Sequence, residues 1–306
     1  MKKQLLIAVV ALLMLGLTSC KDDANSGTLK VIMKDNSYFW QQVEYGLSVA
    51  SKSLNYSYDV VFIDKDDDVQ SQIDELKNYD ESKYQGIIVA PAKVDNEEFN
   101  SLIETVSTKT PTVIIDSELE QTLSFMTFVG TNNYNAGDQY AYDVRNTFSA
   151  SGKIGIIALA GSGAVLERAT GFKDNMEKAG FDVVEVFVSV DNLEADIDEA
   201  LTEMSDCAII FSANLHTSEV LIAKNITEKD VYCFDVSSAI LQAIENETVK
   251  ATMIQDTYGM GYEALSTIVE YVSNNVTQPK LKYMSTFLLT KDNMNSEEAK
   301  YFLNEI

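Results

Sequence analysis

Gly86–Asp116, GIIVAPAKVDNEEFNSLIETVSTKTPTVIID, reads as one complete strand–helix–strand unit. It opens on the apolar run Gly86-Ile-Ile-Val-Ala90 and closes on Thr112-Val-Ile-Ile115 behind Pro111. Both runs are short and rich in β-branched residues, which pack well on a pleated surface and are less at ease in a helix. Between them lies a longer amphipathic stretch from about Asn96 to Ser107. Two strands joined by a crossover helix are parallel, and a parallel sheet is covered on both faces. Asp116, the first polar residue after the second run, therefore stands at the carboxyl end of a strand.

The same alternation extends in both directions. Leu29–Met33 precedes a helix from about Tyr38 to Leu54, and Tyr58–Ile63 precedes one near Val69–Asn78. Met126–Gly130 is a fifth short run, followed by a helix from about Tyr134 to Phe148. The pattern then restarts, with candidate strands at Lys153–Leu159, Val183–Val188, Ala208–Phe211, Val231–Phe234 and Ala251–Ile254. Helices near Val165–Ala179, Leu193–Met204, Ser218–Ile226 and Ala239–Asn246 separate them, and the tail adds a helix at Tyr258–Asn274 and a strand near Thr286–Leu289. Two successive rounds predict an α/β protein of two Rossmann-like lobes with parallel sheets, joined by a multi-strand hinge. The expected division is 28–131 plus 257–283 for the first lobe and 132–256 plus 284–306 for the second.

Polar side chains recur at the ends of these runs: Asn36, Asp116, Arg168, Asn214, Asp235 and Gln255. In an open parallel sheet the carboxyl ends share one edge, so groups far apart in sequence meet there on a ligand. Carboxylates, carboxamides and one guanidinium suit a polyhydroxylated neutral molecule better than a phosphate or a metal. Asp116 and Asp235 also suit the capping of a following helix, and Asn36 and Asn214 suit turns. Tyr38 and Phe39 suit core packing as well as a platform for apolar C–H faces. Trp40 is expected in the core, and His216, the sole histidine, on the surface.

The first 19 residues stand apart. Lys2 and Lys3 precede the apolar Leu5–Leu17, a run too short to span a bilayer comfortably. Leu17-Thr-Ser-Cys20 resembles a bacterial lipobox, which implies lipidation of Cys20 and a lipid-anchored place in the cell envelope, on the periplasmic or extracellular face. Residues 20–27 read as a polar tether. Formal charge is −24, or −26 once Lys2 and Lys3 leave with the leader, and such a surface repels nucleic acid. One histidine excludes a His-based metal cluster, so neither metal nor cofactor is expected. Cys207 and Cys233 differ by about five residues along neighbouring strands, beyond disulfide reach, so both are expected reduced and buried.

The order of motifs resembles the type 1 periplasmic-binding-protein family, in particular its ribose- and galactose-binding branch. Lys34-Asp-Asn-Ser-Tyr-Phe39, Gly86-Ile-Ile-Val-Ala-Pro91, Val113-Ile-Ile-Asp116 and Val129-Gly-Thr-Asn-Asn133 follow in family order. Arg168 with Gly171-Phe172, Asn214, Phe234-Asp235, Gln255 with Gly261, and Leu289-Thr-Lys-Asp-Asn293 complete it. The resemblance implies that Asn36 and Asp116 contact a sugar from the first lobe, with Tyr38 and Phe39 as its aromatic platform. It assigns Arg168, Asn214, Asp235 and Gln255 the same role from the second lobe or hinge. Ser117 stands where the ribose-binding type carries arginine, Ser37 where it carries proline, and Leu215 where an acidic residue is usual, so the pocket is not ribose-like in detail.

The resemblance implies a monomer that captures a monosaccharide or similar polyol by hinge closure and delivers it to an ABC-type importer. A sensory protein presenting a sugar-like signal, such as a furanosyl autoinducer, to a membrane receptor is the alternative. A glycosidase using Asp116 and Asp235 as acid and base is a third. Against catalysis, the sequence contains no nucleophile elbow, metal cluster or phosphate-binding glycine loop, Gly161-Ser-Gly163 being only a faint echo of the last.

Overall fold

A computed structural model describes residues 27–65, 68–147 and 151–304. In chain order its first half runs β1 (Thr28–Met33), α1 (Tyr38–Leu54), β2 (Ser57–Phe62), α2 (Val69–Lys77), β3 (Gly86–Val89), α3 (Glu97–Ser107), β4 (Thr112–Ile115), β5 (Thr127–Thr131) and α4 (Asn133–Thr147). The second runs β6 (Lys153–Leu159), α5 (Gly163–Lys178), β7 (Val183–Val188), α6 (Leu193–Glu203), β8 (Cys207–Ser212), α7 (Leu215–Ala223), β9 (Asp230–Phe234), α8 (Ser238–Glu245) and β10 (Ala251–Gln255). The tail is α9 (Thr257–Asn274), β11 (Leu281–Met284), β12 (Thr286–Leu289) and α10 (Glu297–Phe302).

The strands form two six-stranded sheets, ordered β11-β5-β4-β3-β1-β2 and β12-β10-β9-β8-β6-β7. Every pairing is parallel except β10 with β12. Apolar residues on both sides of each strand explain the parallel choice. Along β1, Leu29, Val31 and Met33 enter the core under α1 and α9, while Ile32 enters the core under α2 and α3. Strand order reverses between β1 and β3, and again between β6 and β8. These are the points at which a crevice opens beyond the carboxyl ends.

The chain passes between the sheets three times: from β5 to α4, from β10 to α9, and from β11 to β12. Each passage leaves the same edge of its sheet. After crossing, α4 packs on α5 and α9 packs on α1. The α4–α5 contact is so close that a Cβ on Gly137 would lie 1.9 Å from the Arg168 carbonyl oxygen, and one on Gly171 would lie 2.1 Å from that of Tyr134. Only glycine lets the two backbones meet there.

The predicted strands and long helices are present. β11 and the short α10 were not anticipated: β11 exists by pairing with the distant β5, and neither element has a periodic run of its own. Phe148, the leader, Cys20 and the tether as far as Ser26 lie outside the described residues. Cys207 and Cys233 are both free and buried, and the pairing of Phe211 with Tyr232 sets Cys233 level with Ser212, five positions past Cys207. Among the described residues no helix is long and apolar enough to cross a membrane.

Candidate functional site

Between the two sheets lies a cavity of about 50 Å³, lined from both sides. The first sheet contributes Lys34 just past β1, Asp116 just past β4, and Ser37, Phe39 and Trp40 at the start of α1. The second contributes Ser162, Ala164, Val165 and Arg168 from the start of α5, Asn214, Leu215 and His216 from the start of α7, Asp235 past β9 and Gln255 at the end of β10.

The lining groups are held in charge-balanced pairs. Lys34 Nζ donates to Asp116 Oδ2 at 3.0 Å and to Ser117 Oγ at 3.2 Å, and the ammonium lies 5.7 Å from the Trp40 ring centroid. Across the cavity, Arg168 Nη1 stands 3.5 Å from Asp235 Oδ2. The guanidinium also donates through Nη2 to Asn133 Oδ1 at 2.7 Å and through Nη1 to the Ala213 carbonyl at 2.9 Å, and it lies 3.8 Å above the Phe234 ring. Asp235 accepts from Gln255 Nε2 at 2.6 Å and from the Leu215 N–H at 3.2 Å. Burial pushes the Asp235 carboxyl above its ordinary value, against the opposing pull of Arg168.

Asp116 and Asp235 have left-handed backbones, at φ 65° and φ 68°. That conformation costs an aspartate of order 1 kcal/mol or more, and it recurs here at equivalent places in the two sheets. Asn214 caps α7 through Oδ1, which accepts from Thr217, while its amide nitrogen has no partner among the described residues. Gln255 Oε1 is buried without a partner as well. A buried acceptor left without a donor is costly, so Gln255 Oε1 is placed to accept from a water or from a ligand hydroxyl.

Two contacts tie the halves together at the rim. His216 Nε2 meets Asp35 Oδ2 at 2.9 Å, and Lys65 Nζ meets Asp191 Oδ1 at 2.5 Å. Burial pushes the Asp35 carboxyl up, but hydrogen bonds from His216 and Ser37 outweigh it and hold the group below its ordinary value.

A family model described as periplasmic binding protein domain matches residues 30–275. The chain belongs to this family. Among curated proteins no match is found. Among solved structures, a carbohydrate transporter solute binding protein from Agrobacterium radiobacter in complex with D-arabinose is 24% identical, with a TM-score of 0.83 over 91% of this chain and 99% of that one. An ABC transporter solute binding protein from Agrobacterium vitis with bound D-fucose is also 24% identical, with a TM-score of 0.80 over 90% and 99%. A glucose-galactose binding protein from Geobacillus stearothermophilus is 20% identical, with a TM-score of 0.78 over 88% and 99%. These likenesses establish the type 1 fold of the family.

The residues expected from sequence are placed unevenly about the cavity. Phe39, Asp116, Arg168, Asn214, Asp235 and Gln255 line it together. Tyr38 lines an adjoining recess with Phe39, Gln42, Asp235, Val236, Gln255, Thr257 and Phe302. Asn36 is exposed and outside both linings, in the turn before α1, with its carbonyl accepting from Gln41. Trp40 is buried as expected, but it also lines the cavity. His216, expected on the surface, is half-buried in the lining. Lys34 and Ser162 were not expected in the lining: a lysine after a strand and a serine before a helix are ordinary punctuation, and their motifs, Lys34–Phe39 and Gly161–Gly163, pointed to other residues or only faintly to a loop.

Proposed function

We propose that this periplasmic binding protein captures a monosaccharide or similar polyol between its two sheets by closing about the three crossings. The carrying observation is the cavity lining, in which Asp116, Asp235 and Gln255 Oε1 offer acceptors while Lys34, Arg168 and the Asn214 amide offer donors. A sugar hydroxyl both donates and accepts, and charge-assisted bonds to it are the strong kind. Phe39 and Trp40 supply apolar area for its C–H face. The sugars bound in the structurally similar solute binding proteins support the same reading.

The same reading extends to the division into lobes at 28–131 plus 257–283 and 132–256 plus 284–306, supported by the sheet to which each strand belongs. It extends also to lipid anchoring at Cys20 and to handover to an ABC-type importer, supported by the lipobox-like leader and by the family. The chain acts as a binder and not an enzyme: both cavity aspartates are engaged by fixed partners. Calorimetric titration with pentoses, hexoses and polyols tests it. A single saturable site, weakened at least about tenfold in Asp235→Ala, is the expected result, since a lost charge-assisted bond is worth roughly 1.5–3 kcal/mol. Heat signals absent across the set would end the saccharide reading.

A further inference from the structure

Ser162 is 6% exposed, lines the cavity and forms the N-cap of the sixteen-residue α5, yet its hydroxyl makes no capping bond. It finds no other hydrogen-bond partner among the described residues. Ala164, Val165 and Arg168 of the same helix line the cavity beside it, so the first turn of α5 faces the ligand space. That turn carries no acidic residue of its own. The opening amides of a helix lack intrahelical partners and carry a partial positive charge, which favours an anion. From the opposite sheet the N-cap of α1, Ser37, also lines the cavity, but there Asp35 Oδ1 accepts from the Ser37 N–H at 3.0 Å and already places a carboxylate at that helix end, which leaves α5 as the unoccupied one.

The charged side chains around the cavity do not cancel this field. Asp116 and Asp235 would repel an anion, but Lys34 neutralises the first at 3.0 Å and Arg168 the second at 3.5 Å. Asp35 is engaged by His216 at 2.9 Å. What remains is the N-terminus of α5 and one unused hydroxyl. From this we infer that the ligand is a sugar acid, an aldonate or uronate, with its carboxylate on Ser162 Oγ and the first-turn amides of α5. Its hydroxyls then meet Asp116, Asp235 and Gln255 Oε1. A carboxylate suits the place better than a phosphate, because the two cations of the lining, Lys34 and Arg168, are each paired with an aspartate and leave little positive charge for a doubly charged group.

This inference rests on the saccharide reading above, and one experiment separates the two. Full-length protein is titrated with D-gluconate, D-galactonate, D-glucuronate and D-galacturonate beside D-glucose, D-galactose, D-ribose and D-arabinose. One acid should bind about tenfold or more tighter than its neutral parent, as a charge-assisted bond outranks a neutral one. Ser162→Ala should weaken that acid about tenfold and leave the neutral parent within about twofold, whereas Ser162→Thr, which keeps the hydroxyl, should retain the preference. A neutral sugar that binds as tightly as its acid overturns the inference and leaves the saccharide reading standing. Equal weakening of both ligands by Ser162→Ala also overturns it. If no compound binds, both fail.

Discussion

Arg168 joins two elements and lines the cavity at once. Its guanidinium is buried and bonded to Asn133 at the head of α4, to the Ala213 carbonyl beyond β8, and to Asp235. Replacing it with methionine strands the Asp235 carboxylate in a desolvated place. The expected loss is about 3–5 kcal/mol of stability, read by denaturant unfolding. Asp235→Asn in the same background should recover part of it, and no recovery would mean that packing over Phe234 matters more than charge. The rim pair makes a pH prediction. Asp35 is held below the ordinary 3.8 in the folded chain, so its contribution is present above about pH 4 and is lost as pH falls through its folded value. Asp235 has the opposite sign: its folded value is raised, so its contribution is present in acid and lost as pH rises above 3.8. A melting-temperature profile between pH 6 and 3 should therefore drop less on the acid side in Asp35→Asn than in the parent chain. At this scale Asp116, Arg168, Asn214, Asp235 and Gln255 were legible because each follows an apolar run closely or sits in the next helix. Lys34, Ser162 and His216 were not, since their roles depend on which distant strand end lies opposite.

The helices show which contacts a sequence leaves unwritten. α4 and α9 read clearly as amphipathic, but nothing local says that each packs on the half other than the one its preceding strand joins. The glycines at the crossings do carry that information, as Gly46 and Gly261 repeat for α1 and α9 what Gly137 and Gly171 do for α4 and α5. β11 stayed hidden for the same reason, its four residues being stabilised by a partner about 150 positions earlier. Gly137→Ala places a methyl where the Arg168 backbone stands, so the helices must separate. Overpacking of this kind costs about 1–3 kcal/mol. The shift also moves Arg168, so ligand affinity should fall together with the melting temperature. A variant that loses stability but binds at full strength would show that Arg168 is positioned by Asn133 and Asp235 alone.

Over the whole molecule, the buried thiols report on global opening. Burial raises the thiol of Cys207 and pushes that of Cys233 to about 12, and neither is accessible in the folded state. In a Cys20→Ala background, both should react with a thiol reagent only when the second sheet opens. Saturating ligand at about a hundred times its dissociation constant should slow that reaction about a hundredfold, if it binds the folded state alone. Labelling unaffected by ligand would mean that the second sheet opens without the cleft. The three crossings leave one edge of each sheet, while the cavity is lined by both halves, which meet at Asp35 and His216. Parting of the halves at that contact widens the way out, so the opening frequency bears on how fast a captured molecule escapes. Residence time then depends on the latch as well as on the lining: His216, which belongs to both, would shorten the dwell of the ligand when replaced by glutamine.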